Sequence, residues 1–221
     1  MIQTMRSVLS PPHPAGRPFI AGGTVLALAG LFISPWLLAL GVVFTLFCLY
    51  FFRDPERVAP VRPGAVVAPA DGRVVSVLQV APPVELGLGT APVWRVATFL
   101  SVLNVHVNRV PVGGTVTAVA YRHGKFLNAS VDKASDDNER NALAIRMADG
   151  RGVGVVQIAG LIARRIVCAV REGDRLSTGA RFGIIRFGSR TDLYLPADVR
   201  PLVSEGQTMI GGETVMAELQ A

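Results

Sequence analysis

The chain divides into one long apolar stretch and a longer region in which short apolar segments alternate with turns. Residues 19–52 contain no charged side chain, whereas residues 53–221 carry short Val- and Ile-rich runs separated by Gly, Pro and Asp. A helix needs about 20 apolar residues to cross a bilayer, so the first stretch is long enough for a membrane segment. Short apolar runs between turn residues predict strands. The pattern therefore predicts a flexible lead-in at 1–18, a membrane-embedded segment at 19–52 and a β-rich domain at 53–221.

Pro35 interrupts the apolar stretch near its middle. Two arrangements are consistent with this: a single tilted or kinked spanning helix, centred on the Trp36–Phe52 half, or a hairpin of two short helices. Three glycines lower the helix propensity of the first half. Arg53 and Arg57 follow the stretch and favour a cytoplasmic location for the β-rich domain, whereas the N-terminal arginines favour the hairpin. The sequence leaves this choice open.

The β-rich region predicts a compact, mainly β domain of sandwich or barrel type. The segments expected to form strands are 65–70, 73–80, 93–100, 105–110, 114–121, 142–148, 153–158, 162–171, 181–186 and 191–195. The segments Ala68–Val75 and Glu172–Gly179 resemble an early strand and a later turn of lipoyl and biotinyl carrier domains, which suggests a barrel-sandwich core. A carrier needs a lysine at a tight hairpin tip, but Lys125 and Lys133 both lie in a long polar segment, 124–141, for which a functional loop is expected.

Composition supports a membrane-associated protein and argues against several other classes. Only 17% of residues are charged, against about 25% in soluble domains. The formal net charge of +6 favours contact with anionic lipid headgroups. No helix-turn-helix, zinc finger or aromatic-basic platform suggests nucleic-acid binding. Cys48 and Cys168 are too far apart in sequence and character to suggest a disulfide framework or a metal site.

Four positions carry candidate chemistry. Gly188-Ser189 joins two predicted strands, and a glycine there leaves its carbonyl open to attack by the next side chain. Asp71 lies in an Ala-Asp-Gly turn, His106 lies in a strand-like run, and His123 opens the polar segment. A membrane-tethered serine hydrolase has these residue types, but the chain lacks the Gly-x-Ser-x-Gly elbow and the α/β pattern. Zinc binding is also disfavoured, since neither histidine has spaced Cys, His or Glu partners.

Five motifs in order resemble one family. They are Phe-Phe-Arg-Asp-Pro at 51–55, Ala-Asp-Gly at 70–72, Phe-Leu-Ser-Val-Leu-Asn-Val-His-Val-Asn-Arg at 99–109, Gly-Lys-Phe-Leu-Asn-Ala-Ser with Asn-Glu-Arg-Asn at 124–141, and Arg-Phe-Gly-Ser-Arg at 186–190. Together they resemble the short bacterial, archaeal-type form of the pyruvoyl-dependent phosphatidylserine decarboxylases, from about residue 45 to about residue 200.

The resemblance implies an enzyme that makes its own cofactor. Ser189 would attack the Gly188 carbonyl, the chain would break between these two residues, and Ser189 would become a pyruvoyl group. The expected products are a β chain, 1–188, and an α chain, 189–221, joined as a heterodimer or a higher oligomer. The pyruvoyl group would supply the electron sink that amino-acid decarboxylation requires, without pyridoxal phosphate or metal. The implied reaction converts phosphatidylserine to phosphatidylethanolamine at the cell membrane, with the catalytic domain on the cytoplasmic side.

The resemblance also implies roles for individual residues. Asp71 matches the carboxylate that supports self-cleavage, and His106 matches the first histidine of the strand motif, near the substrate carboxylate or as a proton donor. Many relatives carry a second histidine where this chain has Arg109, and arginine is a poor general base. Three alternatives therefore stay open: His106 serves both steps, Asp71 acts without that histidine, or His123 enters from the loop. His123 and Arg190 are candidate substrate-binding residues, and Arg190 could pair with the lipid phosphate or carboxylate.

A second function class is also compatible with the sequence. A membrane-anchored barrel-sandwich module that binds or adapts other proteins, without catalysis, would have the same apolar stretch and the same strand pattern. Such a module would show neither chain cleavage nor carbonyl reactivity at residue 189.

Overall fold

A computed structural model describes residues 10–124, 138–160 and 165–220 of the chain. The chain forms two compact units, the first ending at Glu56 and the second beginning at Arg57. Most of the polar segment predicted as a functional loop, the first half of the flexible lead-in and the start of the strand expected at 162–171 lie outside the described residues.

The first unit consists of two apolar helices after a short 3₁₀ turn at Pro14–Gly16. Helix α1 spans Arg17–Ile33 and helix α2 spans Pro35–Phe51. Ser34 between them is extended, with φ −167° and ψ 137°. Pro35 is the first residue of α2, a position where its missing N–H breaks no hydrogen bond. Proline therefore starts the second helix and does not kink a single one.

The two helices pack against each other as a hairpin. A Cβ added at Gly30 would lie 2.2 Å from the Leu38 nitrogen, and one at Gly41 would lie 2.3 Å from the Ala27 nitrogen. The hairpin arrangement is thus the one observed, and the glycines that lower helix propensity allow the two backbones to approach closely. By length and composition, the segment Pro14–Ile33 could cross a membrane, and α2 is a shorter apolar helix.

The second unit is built from antiparallel strands in three sheets. The strands are β1 Ala65–Val67, β2 Gly72–Val80, β3 Val93–Leu100, β4 Val107–Arg109, β5 Gly114–Arg122, β6 Arg140–Arg146, β7 Gly152–Ala159, β8 Arg165–Cys168, β9 Arg175–Leu176, β10 Arg181–Arg186, β11 Ser189–Tyr194, β12 Thr208–Met209 and β13 Val215–Glu218. A short 3₁₀ turn, Val84–Leu86, lies between β2 and β3. The mainly β fold with curled sheets confirms the predicted fold class and fits a barrel-sandwich broadly.

The strands are ordered β12-β2-β3-β11-β7-β6-β5-β9 in the largest sheet, β4-β10-β8 in the second and β1-β13 in the third. Strand β11 therefore lies inside the largest sheet, paired with β3 on one side and β7 on the other. Both of its faces are buried. Leu193 packs in the main apolar core and Tyr194 packs in a second cluster on the opposite face. Alternate residues of β11 thus face two different interiors.

Candidate active site

The connection between β10 and β11 is a short, strained passage from one sheet to another. Strand β10 belongs to the three-stranded sheet and β11 to the eight-stranded sheet, with only Phe187 and Gly188 between them. Phe187 has φ 61° and Gly188 has φ 67°. A left-handed conformation costs a residue with a side chain about 1–2 kcal/mol, whereas glycine adopts it freely. Local strain is therefore stored directly before the Gly188–Ser189 peptide bond.

The carbonyl group of Gly188 receives a hydrogen bond from outside its own turn. The backbone N–H of Gly160, just beyond the end of β7, donates to the Gly188 carbonyl oxygen at 3.1 Å. The neighbouring Ala159 is paired with Ser189 in the ladder between β7 and β11, and this pairing brings Gly160 to the junction. A backbone donor at this oxygen polarises the carbonyl and would stabilise negative charge that develops on it.

Ser189 begins strand β11 and is fully buried. Leu100 of β3 and Ala159 of β7 lie opposite it on the same face. Within the described residues, the Ser189 hydroxyl has no hydrogen-bond partner. Buried polar groups are nearly always hydrogen-bonded, so a fully buried serine hydroxyl without a partner calls for a functional explanation.

His106 is fully buried and precedes β4, where its backbone carbonyl accepts a hydrogen bond from the Ile185 N–H at 3.3 Å. Ile185 packs with Ala159, the residue opposite Ser189. The imidazole Nδ1 lies 3.0 Å from the Asn104 carbonyl oxygen. Because a carbonyl oxygen only accepts, this contact requires the proton on Nδ1 and leaves Nε2 as the basic nitrogen. The structure therefore brings His106 near the Gly188–Ser189 junction, in the tautomer whose Nε2 can accept a proton.

Three buried amides form a directional chain next to the junction. Asn141 Nδ2 donates to Gln157 Oε1 at 2.9 Å, and Gln157 Nε2 donates to Asn108 Oδ1 at 2.7 Å. Asn108 and Gln157 are fully buried and Asn141 is nearly so. A Cβ at Gly183 would lie 3.1 Å from Gln157 Nε2, so the absent side chain gives the amide room. The chain links the eight-stranded sheet to the three-stranded one.

Further polar atoms without a partner surround this chain. Thr191 lies two residues beyond Ser189 on the same face, opposite both Thr98 and Gln157. Among the described residues, the hydroxyls of Thr98 and Thr191 and the Nδ2 of Asn108 are buried and have no hydrogen-bond partner. Together with the Ser189 hydroxyl they form what we call the unpaired cluster: Thr98, Asn108, Ser189 and Thr191.

Asp71 lies elsewhere in the same sheet and is firmly held. Its Oδ2 accepts from Arg57 at 2.8 Å and its Oδ1 accepts from the Gly211 N–H at 2.7 Å. Arg73 of β2 and Arg190 of β11 both pair with Phe99, so β2, which begins one residue after Asp71, lies two strand spacings from β11, about 10 Å. The structure therefore does not bring the carboxylate of Asp71 into hydrogen-bond contact with the Ser189 hydroxyl.

Arg109, at the position of the second histidine in many relatives, is also anchored away from the Ser189 hydroxyl. Its Nη1 donates to the Gly179 carbonyl oxygen at 3.0 Å, and a Cβ at Gly212 would lie 2.7 Å from its Cδ. Gly212 follows the Gly211 that binds Asp71. Arg109 and Asp71 thus lie next to consecutive glycines, Gly212 and Gly211.

Arg190 projects from the other face of β11. It is 1% exposed, and its Nε and Nη2 donate to the two carboxylate oxygens of Asp192 at 2.5 and 2.8 Å. Arg95 Nε lies 3.9 Å from the same carboxylate. Burial, followed by the charge of Asp192, raises the pKa of Tyr194 on this face. The guanidinium expected to bind lipid is therefore engaged within the protein, and its predicted lipid contact stays a prediction.

His123 is exposed and stacks edge-on against Tyr121, with ring centroids 4.9 Å apart. Burial and a hydrogen bond to Glu139 raise the pKa of Tyr121 to about 12. Before the junction, Arg186 lies directly opposite Arg165 of β8. Burial, and then the like charge of Arg165, lower the pKa of Arg186.

Gly160, Thr98, Thr191 and the three amides were not predicted from the sequence. Gly160 contributes only a backbone N–H, and no side-chain pattern marks such a donor. Asn108 stands two residues after His106 in the motif that includes Arg109, so strand alternation could have assigned both to one face.

Comparisons with known proteins identify the family of this chain. The family model for phosphatidylserine decarboxylase matches residues 44–217. A "phosphatidylserine decarboxylase proenzyme" of Granulibacter bethesdensis is 72% identical over 219 residues, which cover 99% of this chain and 90% of that protein. The protein of the same name from Gluconobacter oxydans is 62% identical, with 99% of both chains covered. One from Cereibacter sphaeroides is 58% identical, covering 99% of this chain and 94% of that protein. This chain therefore belongs to the phosphatidylserine decarboxylase family.

Proposed function

We propose that this chain is a proenzyme that cuts itself between Gly188 and Ser189 and then decarboxylates phosphatidylserine to phosphatidylethanolamine. One observation carries the proposal. The Gly188 carbonyl follows a left-handed phenylalanine, accepts a hydrogen bond from the Gly160 N–H, and precedes a buried serine whose hydroxyl has no partner among the described residues. Strain, a polarised carbonyl and an available nucleophile are what an acyl shift at this bond requires.

The cleavage reaction uses only atoms of the chain and water. The Ser189 Oγ bonds to the Gly188 carbonyl carbon, the C–N bond breaks, and the serine proton goes to the released nitrogen. Loss of the Ser189 Cα proton then expels the Gly188 carboxylate and leaves dehydroalanine. Water adds to its imine tautomer, ammonia departs, and a pyruvoyl group remains at the new N-terminus. The Gly160 N–H supports the first step, in which charge develops on the Gly188 oxygen.

His106 is the base that the geometry favours for the serine proton. Its Nδ1 contact with the Asn104 carbonyl leaves Nε2 as the basic nitrogen, and its backbone pairs with Ile185, two residues before Phe187. Asp71 is held by Arg57 and Gly211, so we assign it an indirect role in positioning the strand ends around the junction. Of the three alternatives left open by Arg109, this choice favours His106 serving both steps.

The residue environment fits a pyruvoyl group at position 189. A planar ketone would take the place of a buried hydroxyl that has no partner within the described part of the chain, so no observed hydrogen bond would be lost. When present, this group supplies the electron sink for loss of the substrate carboxylate. His106, whose backbone carbonyl accepts a hydrogen bond from the Ile185 N–H, would hold and deliver a proton there.

The two product chains are expected to stay assembled as a heterodimer. Strand β11 pairs along its whole length with β3 and β7, β12 pairs with β2, and β13 pairs with β1. Every one of these partner strands belongs to 1–188. Cutting the junction therefore removes one covalent bond and leaves the strand ladders in place.

The apolar first unit supports association with a membrane. A segment long enough to cross a bilayer and a second apolar helix precede the β unit. The net positive charge of the chain favours an anionic lipid surface, where phosphatidylserine is found. We propose the cell membrane as the location, with the β unit on the cytoplasmic side, where the substrate headgroup would be presented to it.

The experiment is a decarboxylation assay with detergent-solubilised protein and phosphatidylserine labelled at the serine carboxyl. Wild type is expected to release labelled carbon dioxide, and Ser189→Ala is expected to release none above background. Ser204→Ala, an exposed serine of the same product chain, is the matched control and should retain full activity. A Ser189→Ala protein with wild-type activity would refute the proposal, and so would an inactive but correctly folded wild type.

A further inference from the structure

The amide chain fixes the orientation of Asn108. Because Gln157 Nε2 donates to Asn108 Oδ1, the Asn108 oxygen is occupied and its Nδ2 must point elsewhere. Gln157 is held in turn, since its Oε1 accepts from Asn141. Asn108 therefore presents a donor whose direction is set by two other buried amides. This donor has no acceptor among the described residues.

Strand register places this donor beside residue 189. Gln157 lies directly opposite Thr191, and Ser189 is its diagonal neighbour at about 7–8 Å between Cα atoms. Thr98 lies directly opposite Thr191 on the strand face that carries residue 189. The unpaired cluster therefore lies beside the position at which the reactive group would form.

The cluster is rich in hydrogen-bond donors but neutral. It offers one amide N–H₂ and two threonine hydroxyls besides Ser189, all buried. The strong cation nearest in sequence, Arg190, is on the other face of β11 and is paired with Asp192. A carboxylate has up to four acceptor positions and would satisfy these donors. Neutral donors also hold a carboxylate less tightly than arginine does, which suits a carboxylate that must depart.

We propose that Asn108, Thr98 and Thr191 form the subsite that binds the carboxylate of the amino-acid headgroup at residue 189. The proposal rests on the proposed function and deepens it, because it assigns headgroup selection to named residues. Asn141 and Gln157 are positioning residues that fix the Asn108 amide. The product headgroup has no carboxylate, so the subsite favours substrate over product and promotes product release.

The test measures the preference between two soluble headgroups. Cleaved protein is treated with borohydride, so that no ligand is turned over, and titrated with glycerophosphoserine and with glycerophosphoethanolamine by calorimetry. One hydrogen bond to a charged group corresponds to about tenfold to hundredfold in affinity. Wild type should therefore bind the serine compound at least about tenfold more tightly than the ethanolamine compound.

Asn108→Leu and Thr98→Val should lose most of this preference while keeping wild-type affinity for the ethanolamine compound. Gln157→Met should reduce the preference through the loss of Asn108 orientation. Thr117→Val, at an exposed strand threonine, is the matched control and should retain the preference. Thr98→Val changes only one hydroxyl to a methyl group, so it keeps the test decisive if Asn108→Leu does not fold.

Equal binding of the two compounds by wild type would overturn the subsite, as would an unchanged preference in both Asn108→Leu and Thr98→Val. Either result would mean that the unpaired cluster holds only ordered water. Decarboxylase activity is measured separately on untreated protein, so an active enzyme without headgroup preference would refute this inference alone, whereas an inactive wild type would refute the proposed function.

Discussion

The two faces of strand β11 differ in how their polar groups are satisfied. On one face, Arg190 and Asp192 are fully buried and joined by two hydrogen bonds, with Arg95 nearby. On the other face, the hydroxyls of Ser189 and Thr191 are equally buried but have no partner in the described part of the chain. The polar groups of the first face are paired within the protein, whereas those of the second call for a functional explanation.

This division suits a strand for which we propose cleavage at its start. The proposed new N-terminus is the first residue of β11, so Arg190 and Asp192 lie within four residues of the proposed cut. Asp192 also lies 3.9 Å from Arg95 of β3, and this contact between strands would help to keep β11 in register after cleavage.

The largest effect on stability is expected from breaking the paired face. Asp192→Asn removes one partner of a buried ion pair and leaves Arg190 and Arg95 without their charge complement, which should lower the free energy of unfolding by about 3–5 kcal/mol. Urea denaturation of the solubilised protein, followed by Trp fluorescence, measures this. Combining Arg190→Met with Asp192→Leu should recover much of the loss. An Asp192→Asn protein as stable as wild type would show that the ion pair does not stabilise β11.

A smaller change, in rate, is expected at the junction. Gly160→Pro removes the N–H that donates to the Gly188 carbonyl oxygen, and loss of one such donor slows acyl chemistry by about 10²–10³-fold. Gly160→Ala keeps the N–H and is the matched control. The rate of chain cleavage after translation in vitro measures the effect on a gel. Equal cleavage rates for the Pro and Ala variants would exclude a role for this hydrogen bond.

The smallest effect is expected on the unpaired face. Thr191→Val replaces a buried hydroxyl without a partner by a methyl group of the same shape, so the change in unfolding free energy should be near zero or slightly stabilising. Thermal unfolding of Thr191→Val, measured alongside that of Asp192→Asn, compares the stability contributed by the two faces of β11. A loss of stability above about 1 kcal/mol would mean that the hydroxyl makes a hydrogen bond in solution.

Much of the fold could be predicted from the sequence because burial and periodicity determine it. The apolar runs at 93–100 and 181–186 became β3 and β10 with the same bounds. Strands β9, β12 and β13, of two to four residues, were not predicted from the pattern. The glycines of the first unit were interpreted through helix propensity, yet close packing at Gly30 and Gly41 decides their effect.

The site was only partly predictable, for a different reason. Ser189 and His106 were singled out because they lie in motifs that resemble those of one family, and their roles remain proposals. Asp71 was expected to support self-cleavage, either as base or by orienting a base, and in the fold it accepts hydrogen bonds from Arg57 and Gly211. Pairing across strands decides which residue types meet, and one sequence contains no record of that register.

The most direct test of the account is the intact mass of the purified wild-type protein. The account predicts two chains, Met1–Gly188 and 189–221, with the smaller chain carrying a pyruvoyl group in place of serine and gaining two hydrogen atoms on borohydride reduction. A single active chain of 221 residues with an unmodified Ser189 would contradict it.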